Sequence, residues 1–163
     1  MPQITIEYMI MIPMLILQIF LFPLTAGWIM NTWVDSRQTL ALQENASHLG
    51  SSIQQVYSAL NHVSISTGTV RSRLEVTPFI EGYAYRGNAS LREAAGDYSQ
   101  FLDITLKFIG GSTEATTSVT LGSNVEWDAD SAFQSNSTHA NLVAVKYWNG
   151  THYLISLSFE GDE

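Results

Sequence analysis

The 163-residue chain contains no cysteine, which excludes a disulfide framework, a thiolate nucleophile and any cysteine-based metal site. Basic residues are also scarce. Seven Lys and Arg against fifteen Asp and Glu give a formal net charge of −8 at pH 7. Nucleic acids and anionic membrane surfaces are recognised through clustered Lys and Arg. The charge balance therefore argues against a nucleic-acid partner and against a polybasic membrane patch.

Charge is missing altogether from one segment, which runs from Tyr8 to Val34 and is called the apolar segment below. As a helix rising ~1.5 Å per residue it would be about 40 Å long, enough to cross a bilayer core of ~30 Å. A secretory signal peptide is the rival interpretation. It fits poorly, because no basic region precedes the run, the run exceeds the usual ~7–15 residues, and Thr25-Ala26-Gly27 is a weak cleavage site.

Two prolines, Pro13 and Pro23, interrupt this segment, and Gly27 follows them. Each proline removes a backbone donor and crowds the carbonyl four residues earlier, so we expect helix kinks or a locally melted stretch. Gln18 is the strongly polar side chain at the centre of the segment, and in an apolar setting it should face another helix.

Glu7 is a carboxylate at the very edge of the apolar segment, where an ionisable group is a functional hypothesis by default. Two interpretations remain open. Glu7 lies among lipid headgroups, outside the hydrocarbon. Alternatively, it pairs with a cation, most simply the N-terminal amine of a neighbouring subunit.

The run Gln3-Ile4-Thr5-Ile6-Glu7-Tyr8 resembles the start of archaeal type IV pilins with a class III signal sequence. Those pilins begin with Gln, carry Glu four residues later and continue as an apolar helix. Glu7-Tyr8 followed by Pro13-Met14-Leu15 is also similar to TadE-like pseudopilins of the same broad superfamily. The two resemblances agree on the class of protein and differ on the subfamily, and together they cover about the first 30 residues.

The resemblance implies a structural role without a cofactor. A prepilin peptidase would remove the leader Met1-Pro2, leaving Gln3 first and Glu7 as the carboxylate that registers incoming subunits. Assembly machinery would then move subunits from the cell membrane into an extracellular homopolymer, in which the helices form the core and the C-terminal domains coat it. Adhesion would be the biological output.

After Trp33 the pattern becomes amphipathic, with one apolar stripe at helical spacing. The stripe consists of Leu42, Leu49, Ile53, Val56, Leu60 and Val63, and Gly68 is a plausible stop. The stripe packs either on the protein's own C-terminal domain or on a neighbouring subunit, and both hold if different faces are used.

From Thr69 onward the periodicity changes to two, which indicates strands. The predicted strands are Thr69–Val76, Phe79–Tyr85, Tyr98–Ile109, Thr116–Leu121, Leu142–Trp148 and Tyr153–Phe159, and Leu91–Ala95 is predicted as a short helical turn. Asn149-Gly150 predicts a type I′ hairpin. The fold class is therefore α+β, with a long helix (1–66) and an antiparallel β-sandwich (67–163). The resemblance implies that the two parts form a lollipop-shaped pilin.

The polar motifs of the chain suggest sites of glycosylation more than sites of catalysis or metal binding. N-glycosylation sequons begin at Asn45, Asn88, Asn136 and Asn149. Glu126, Asp128 and Asp130 alternate as weak Ca²⁺ ligand candidates, although an acidic solvent face explains them more simply. The four His residues are scattered, and no phosphate loop or nucleophile elbow appears, so we do not expect an enzyme.

The sequence thus favours a filament subunit over two alternatives. One is a single-pass membrane-anchored extracellular binding module, which would not need Glu7. The other is a minor pseudopilin of a secretion system.

Overall fold

A computed structural model describes residues 3–93 and 99–161, with the backbone alone for residues 3–8. One long helix precedes all of the strands, and the order of elements follows the chain. The elements are α1 (Gln3–Leu60), β1 (Gly68–Arg73), β2 (Tyr85–Glu93), β3 (Ser99–Phe108), β4 (Glu114–Gly122), β5 (Val125–Trp127), β6 (Ala132–Gln134), β7 (Asn141–Trp148) and β8 (Tyr153–Glu160).

The chain packs as two units, Met1–Arg37 and Gln38–Glu163. The boundary therefore lies inside α1, whereas the sequence pattern divides the chain between residues 66 and 67, where helix gives way to strands. The first unit is an apolar helix. The second contains the rest of α1 and every described strand.

Helix α1 is unbroken across Pro13, Pro23 and Gly27, so the described helix contains no melted stretch. A helix interrupted by proline survives in an apolar setting when neighbouring groups satisfy the freed backbone. Past the apolar segment, one stripe of the helix is buried in the second unit: Leu42, Ala46, Leu49, Ile53 and Leu60 are at most 2% exposed. The predicted packing of this stripe on the protein's own domain is confirmed.

Val63 does not belong to this stripe. The helix ends at Leu60, and Val63 is 96% exposed in the turn that follows. The apolar spacing in the sequence therefore extends three residues past the end of the helix at Leu60.

Gly50 allows the helix to approach strands β3 and β4 closely. A Cβ at Gly50 would lie 2.6 Å from the Cγ2 of Val119 and 3.6 Å from the Cδ1 of Ile104. Tyr57, two turns later, donates its hydroxyl to the Oδ1 of Asn124 at 3.0 Å and accepts from the amide of Gly122 at 3.1 Å. These contacts fix the helix on one face of the sheet.

The strands form two four-stranded sheets, ordered β1-β7-β8-β5 and β4-β3-β2-β6. All described pairings between named strands are antiparallel except that of β5 with β8, which is parallel. The predicted α+β class is confirmed: a long apolar N-terminal helix precedes a two-sheet β region rich in antiparallel strands.

Alternation along β3 produces the core face that the sequence predicted. Leu102, Ile104, Leu106 and Phe108 are buried, and the residues between them face outward. The core continues into the other sheet through side chains such as Leu142, Ile155 and Leu157. Together with the helical stripe they form a single hydrophobic cluster, so α1 is part of the domain's core.

One strand prediction and the helical-turn prediction are wrong. The predicted strand Phe79–Tyr85 contains an isolated bridge between Ile80 and Tyr83 and only the first residue of β2, Tyr85. Leu91–Glu93, predicted as helical, lies in β2. Residues 94–98, which include the rest of that predicted turn and Tyr98, lie outside the described residues. Strands β2, β5 and β6 were not predicted, because β5 and β6 are only three residues long and the inward positions of β2 include Gly87.

The type I′ geometry also occurs at a different turn from the predicted one. Glu81 and Gly82 have φ of 50° and 85°, and the Ile80 and Tyr83 backbones exchange two hydrogen bonds. Positive φ at both central residues is the mark of a type I′ turn. At the β7–β8 hairpin only Gly150 has positive φ, because a four-residue loop replaces the tight turn.

Candidate functional site

The apolar segment presents bare hydrocarbon in every direction. Its large apolar side chains range from 40% exposed at Val34 to 77% exposed at Met9, and aromatic rings as large as Phe22 and Trp28 are 73% exposed. No part of its most apolar stretch is buried within the described chain. A helix that is apolar on all faces belongs in lipid or inside a bundle of helices.

Exposing the apolar segment to water would cost much free energy, so its side chains require lipid or other helices around them. Leaving one Leu, Ile, Phe or Met side chain in water instead of burying it costs about 1.5–3 kcal/mol. Summed over the apolar segment, the cost far exceeds the ~5–15 kcal/mol stability of a typical domain. The helix is long and apolar enough to span a membrane, although a signal sequence near an N-terminus meets the same criterion.

Two of the described hydroxyl side chains in this unit, those of Thr25 and Thr32, are satisfied within the helix. Thr25 donates its Oγ1 to the carbonyls of Leu21 and Phe22, both at 3.0 Å, and Thr32 donates to Trp28 at 2.9 Å. Such bonds to the preceding turn let Thr enter an apolar environment without an external partner. Gln18 differs, since its exposed side chain has no hydrogen-bond partner among the described residues.

Gln3 and Glu7, the residues that carry the family resemblance, are helical in backbone, and their side chains lie outside the described residues. Their expected roles in processing and subunit registration therefore stay predictions.

The outer face of sheet β4-β3-β2-β6 is an ordered polar surface. Thr105 and Thr116 share a hydrogen bond of 2.9 Å between their hydroxyls. Asp103 accepts from the Nε of Arg92 at 3.0 Å and from the hydroxyl of Ser118. The Arg92 bond, then the Ser118 bond, lower the pKa of the Asp103 carboxyl, and the Arg92 charge adds to this effect.

The acidic run after β4 is not gathered into a cation site. Within residues 3–93 and 99–161, no three His, Cys, Asp or Glu side chains are placed to hold a metal ion. Glu126 instead accepts from the hydroxyl of Tyr147 at 2.6 Å, and this bond raises the pKa of that phenol. Asp128 accepts from the backbone amide of Asp130 at 3.3 Å, which stabilises the loop before β6.

The four sequons fall in different environments. Asn45 is half-buried on α1, where its Nδ2 donates to Ala41 and its Oδ1 accepts from Thr77, so a glycan on Nδ2 would crowd these contacts. Asn88, Asn136 and Asn149 are exposed. Asn149 orders its own loop, because its Oδ1 accepts from the amides of Thr151 and His152.

Sequence reasoning missed Lys146, whose side chain closes the end of α1. This residue is 5% exposed, and its Nζ donates to the Leu60 carbonyl at 2.8 Å and to the His62 carbonyl at 3.2 Å. Last-turn carbonyls have no donors within a helix, so a cation there satisfies them. The signal was available in the sequence, since alternation on β7 places Lys146 inward with Leu142 and Ala144.

Comparison with known proteins adds no family. No protein-family model, no curated protein and no solved structure matches the chain.

Proposed function

We propose that this protein is a structural subunit of an extracellular, type IV pilus-like filament. The observation that carries the proposal is the apolar segment, whose side chains are exposed on every face of a continuous helix. In the membrane the helix contacts lipid. In the filament it contacts other copies, so its hydrocarbon stays out of water in both states while packing and polar contacts select the register.

The second unit supplies the outer coat. Its core is completed by α1 residues such as Leu49 and Ile53, so the domain is attached to the helix by packing as well as by the chain. Its polar outer sheet face and the exposed sequons at Asn88, Asn136 and Asn149 suit contact with water, glycans and a surface to which the filament adheres. A prepilin peptidase and the pilus assembly machinery are the partners this function requires.

The first test is to shear cells that make the protein and to compare the sheared fraction with the membrane fraction by electron microscopy and mass spectrometry. Abundant thin filaments containing the protein, with an N-terminal peptide that starts at Gln3, are the expected result. Filaments that retain Met1 would move the cleavage site. Protein found only in membranes would favour the anchored binding module or the minor pseudopilin.

Glu7→Ala tests the assembly role of the carboxylate, and Glu44→Ala is its matched control. Glu44 is an exposed carboxylate on the same helix within the second unit. We expect Glu7→Ala to reduce the sheared filament fraction at least several-fold while the membrane fraction rises, and Glu44→Ala to leave both unchanged. Equal filament yield in the two variants would contradict the assigned role of Glu7.

A further inference from the structure

Pro23 leaves one carbonyl of the apolar segment without its helical donor. The Ile19 carbonyl would normally accept from the amide of residue 23, which proline lacks. In hydrocarbon an unsatisfied backbone group costs several kcal/mol, because lipid tails offer no hydrogen bond. The helix nevertheless continues without a break through this point.

A donor without a partner among the described residues, the Gln18 side-chain amide, belongs to the residue that precedes Ile19. Leu15, Gln18, Ile19, Phe22 and Pro23 line one shallow hollow on the helix surface. Gln18 carries two amide hydrogens and finds no acceptor among the described residues. Gln18 and Ile19 are thus adjacent in sequence, and both residues line the same hollow.

The face that contains Gln18 has the spacing of a helix–helix contact. Leu15, Gln18, Phe22, Thr25 and Ile29, here called the Gln18 face, follow one another at intervals of three and four residues. A second hollow, which shares Phe22 and is lined by Thr25, Ala26 and Ile29, continues the same face. In helix pairs, one polar residue on such a face fixes the register of the partners.

A second copy of the chain in the same orientation is the occupant that this face fits by its own donor and acceptor. Chains inserted in one membrane by the same route are parallel, so Gln18 of each copy is level with Gln18 of the other. The Ile19 carbonyl lies only ~1.5 Å further along the axis, by the helical rise per residue. Each copy therefore offers the donor that the other lacks, which makes the face self-complementary.

We propose that two parallel copies contact each other through the Gln18 face, with the Gln18 amide of each donating to the Ile19 carbonyl that Pro23 leaves free in the other. This contact rests on the proposed filament function, for which it supplies the pairing of subunits in the membrane. It assigns Pro23 a role in recognition, because proline creates the acceptor.

Cysteine cross-linking of the full-length chain in phosphatidylcholine vesicles locates the face. The protein has no native cysteine, so each single variant carries the only thiol. Phe22→Cys lies on the Gln18 face, and Leu24→Cys, at about 200° from it by helical geometry, is the matched control on another face. We expect disulfide dimers with Phe22→Cys and few with Leu24→Cys, and the reverse pattern would overturn the proposal.

A double-mutant cycle tests the hydrogen bond itself. Gln18→Leu removes both symmetric hydrogen bonds, so it should lower the dimer association constant about ten- to a hundredfold, since one interhelical hydrogen bond in a membrane contributes about three- to tenfold. Pro23→Ala restores the amide of residue 23, so in that background Gln18→Leu should change the constant less than twofold. Pro13→Ala is the matched control, because it restores a donor far from Gln18 and should leave the Gln18→Leu effect intact.

The outcomes separate this contact from the filament proposal. Equal Gln18→Leu effects in the native and Pro23→Ala backgrounds would overturn the hydrogen bond, and sheared filaments in the same experiment series would leave the filament function standing. Monomeric protein at every cysteine position, together with an empty sheared fraction, would overturn both.

Discussion

Asp103 is held on the outer face of β3 by two side chains from neighbouring strands, Arg92 on β2 and Ser118 on β4. Its own side chain is 22% exposed, whereas that of Arg92 is 61% exposed. The ion pair is therefore largely screened by solvent, and the hydroxyl bond supplies part of the effect. Because the folded state lowers the carboxyl pKa, the ionised form stabilises the fold.

Asp103→Asn should reduce the free energy of unfolding by about 1 kcal/mol at pH 7, a sum of a screened ion pair and one hydrogen bond. A group with a lowered folded-state pKa contributes fully above its unfolded pKa of about 3.9 and loses the contribution as pH falls through the folded-state value. The difference between native protein and variant should therefore be constant above about pH 5 and shrink towards acid pH.

Urea unfolding between pH 2 and pH 7 measures this dependence. Asp130→Asn, which removes an exposed carboxylate from a loop, is the matched control for the change in net charge. A difference for Asp103→Asn that stays the same down to pH 2 would show that the carboxylate does not act through its ionised form.

The two glycine-containing turns show that a dipeptide sequence does not by itself determine the turn type. Asn149-Gly150 carries the stronger sequence signal for a type I′ turn, yet Glu81-Gly82 adopts that geometry. The difference arises because the Asn149 side chain accepts from two loop amides and stabilises a longer loop. Glu81 is held at positive φ by the paired Ile80 and Tyr83 backbones. The two-residue sequence Asn-Gly does not show that its Asn side chain will bond to the backbone amides of the loop.

At the scale of elements, Lys146 joins the end of α1 to strand β7. Its stem lies in the core, its ammonium bonds the Leu60 and His62 carbonyls, and the same Nζ lies 5.4 Å from the centre of the Tyr153 ring. The helix ends where this donor meets it, three residues before Val63. This explains why the apolar period alone placed the helix end too late.

Lys146→Met keeps the buried stem and removes the donor, so the Leu60 carbonyl loses this partner, whereas the His62 carbonyl keeps its hydrogen bond from the Ile65 amide at 3.1 Å. We expect the free energy of unfolding to fall by about 1–3 kcal/mol, the cost of leaving a buried polar group unsatisfied. Chemical denaturation measures this loss. Lys107→Met is the control, because the Lys107 side chain is 55% exposed and its ion pair with Glu114 is long, at 4.0 Å. This substitution should change the free energy of unfolding by less than about 0.5 kcal/mol. Equal losses would contradict the capping role.

The sequence predicted strands most clearly where buried apolar side chains alternate with outward polar ones. The alternation in β3, β7 and β8 marks them clearly, because inward and outward residues differ in polarity. β2 was missed, since its inward positions include Gly87, whose missing Cβ makes room for the Phe133 ring. β5 and β6 have three residues each, too few to show a period.

On the scale of the whole molecule, the two units make different demands on their surroundings. The described part of the apolar segment, in the first unit, exposes apolar side chains on every face, and the second unit holds the entire described hydrophobic cluster. A fragment of residues 38–163 should therefore be soluble and folded without lipid, whereas a fragment of residues 67–163 should not fold. The second fragment loses Leu42, Leu49, Ile53 and Leu60, each worth about 1.5–3 kcal/mol of burial.

Expression of both fragments, followed by circular dichroism and thermal unfolding, distinguishes the two boundaries. A cooperative transition for residues 38–163 and none for residues 67–163 is the expected result. If residues 67–163 unfold cooperatively at the same temperature as the longer fragment, the α1 residues are not needed for the β-domain to fold, and the prediction is wrong.

The sequence by itself determined the features that depend on local composition and period. The uncharged stretch from Tyr8 to Val34 requires an apolar environment, the stripe from Leu42 to Leu60 defines one face of a helix, and the alternation in β3 defines a half-buried strand. Each follows from how much apolar surface a regular backbone presents on one side.

Only the tertiary structure decided the features that depend on residues far apart in the chain. Long-range contact with β3 and β4 makes α1 part of the core, and Lys146, 86 positions from Leu60, meets the end of that helix. The parallel pairing of β5 with β8 belongs to the same group. Burial and hydrogen bonding between distant segments depend on the tertiary packing of the whole chain, and the periodicity of a local sequence does not specify that packing.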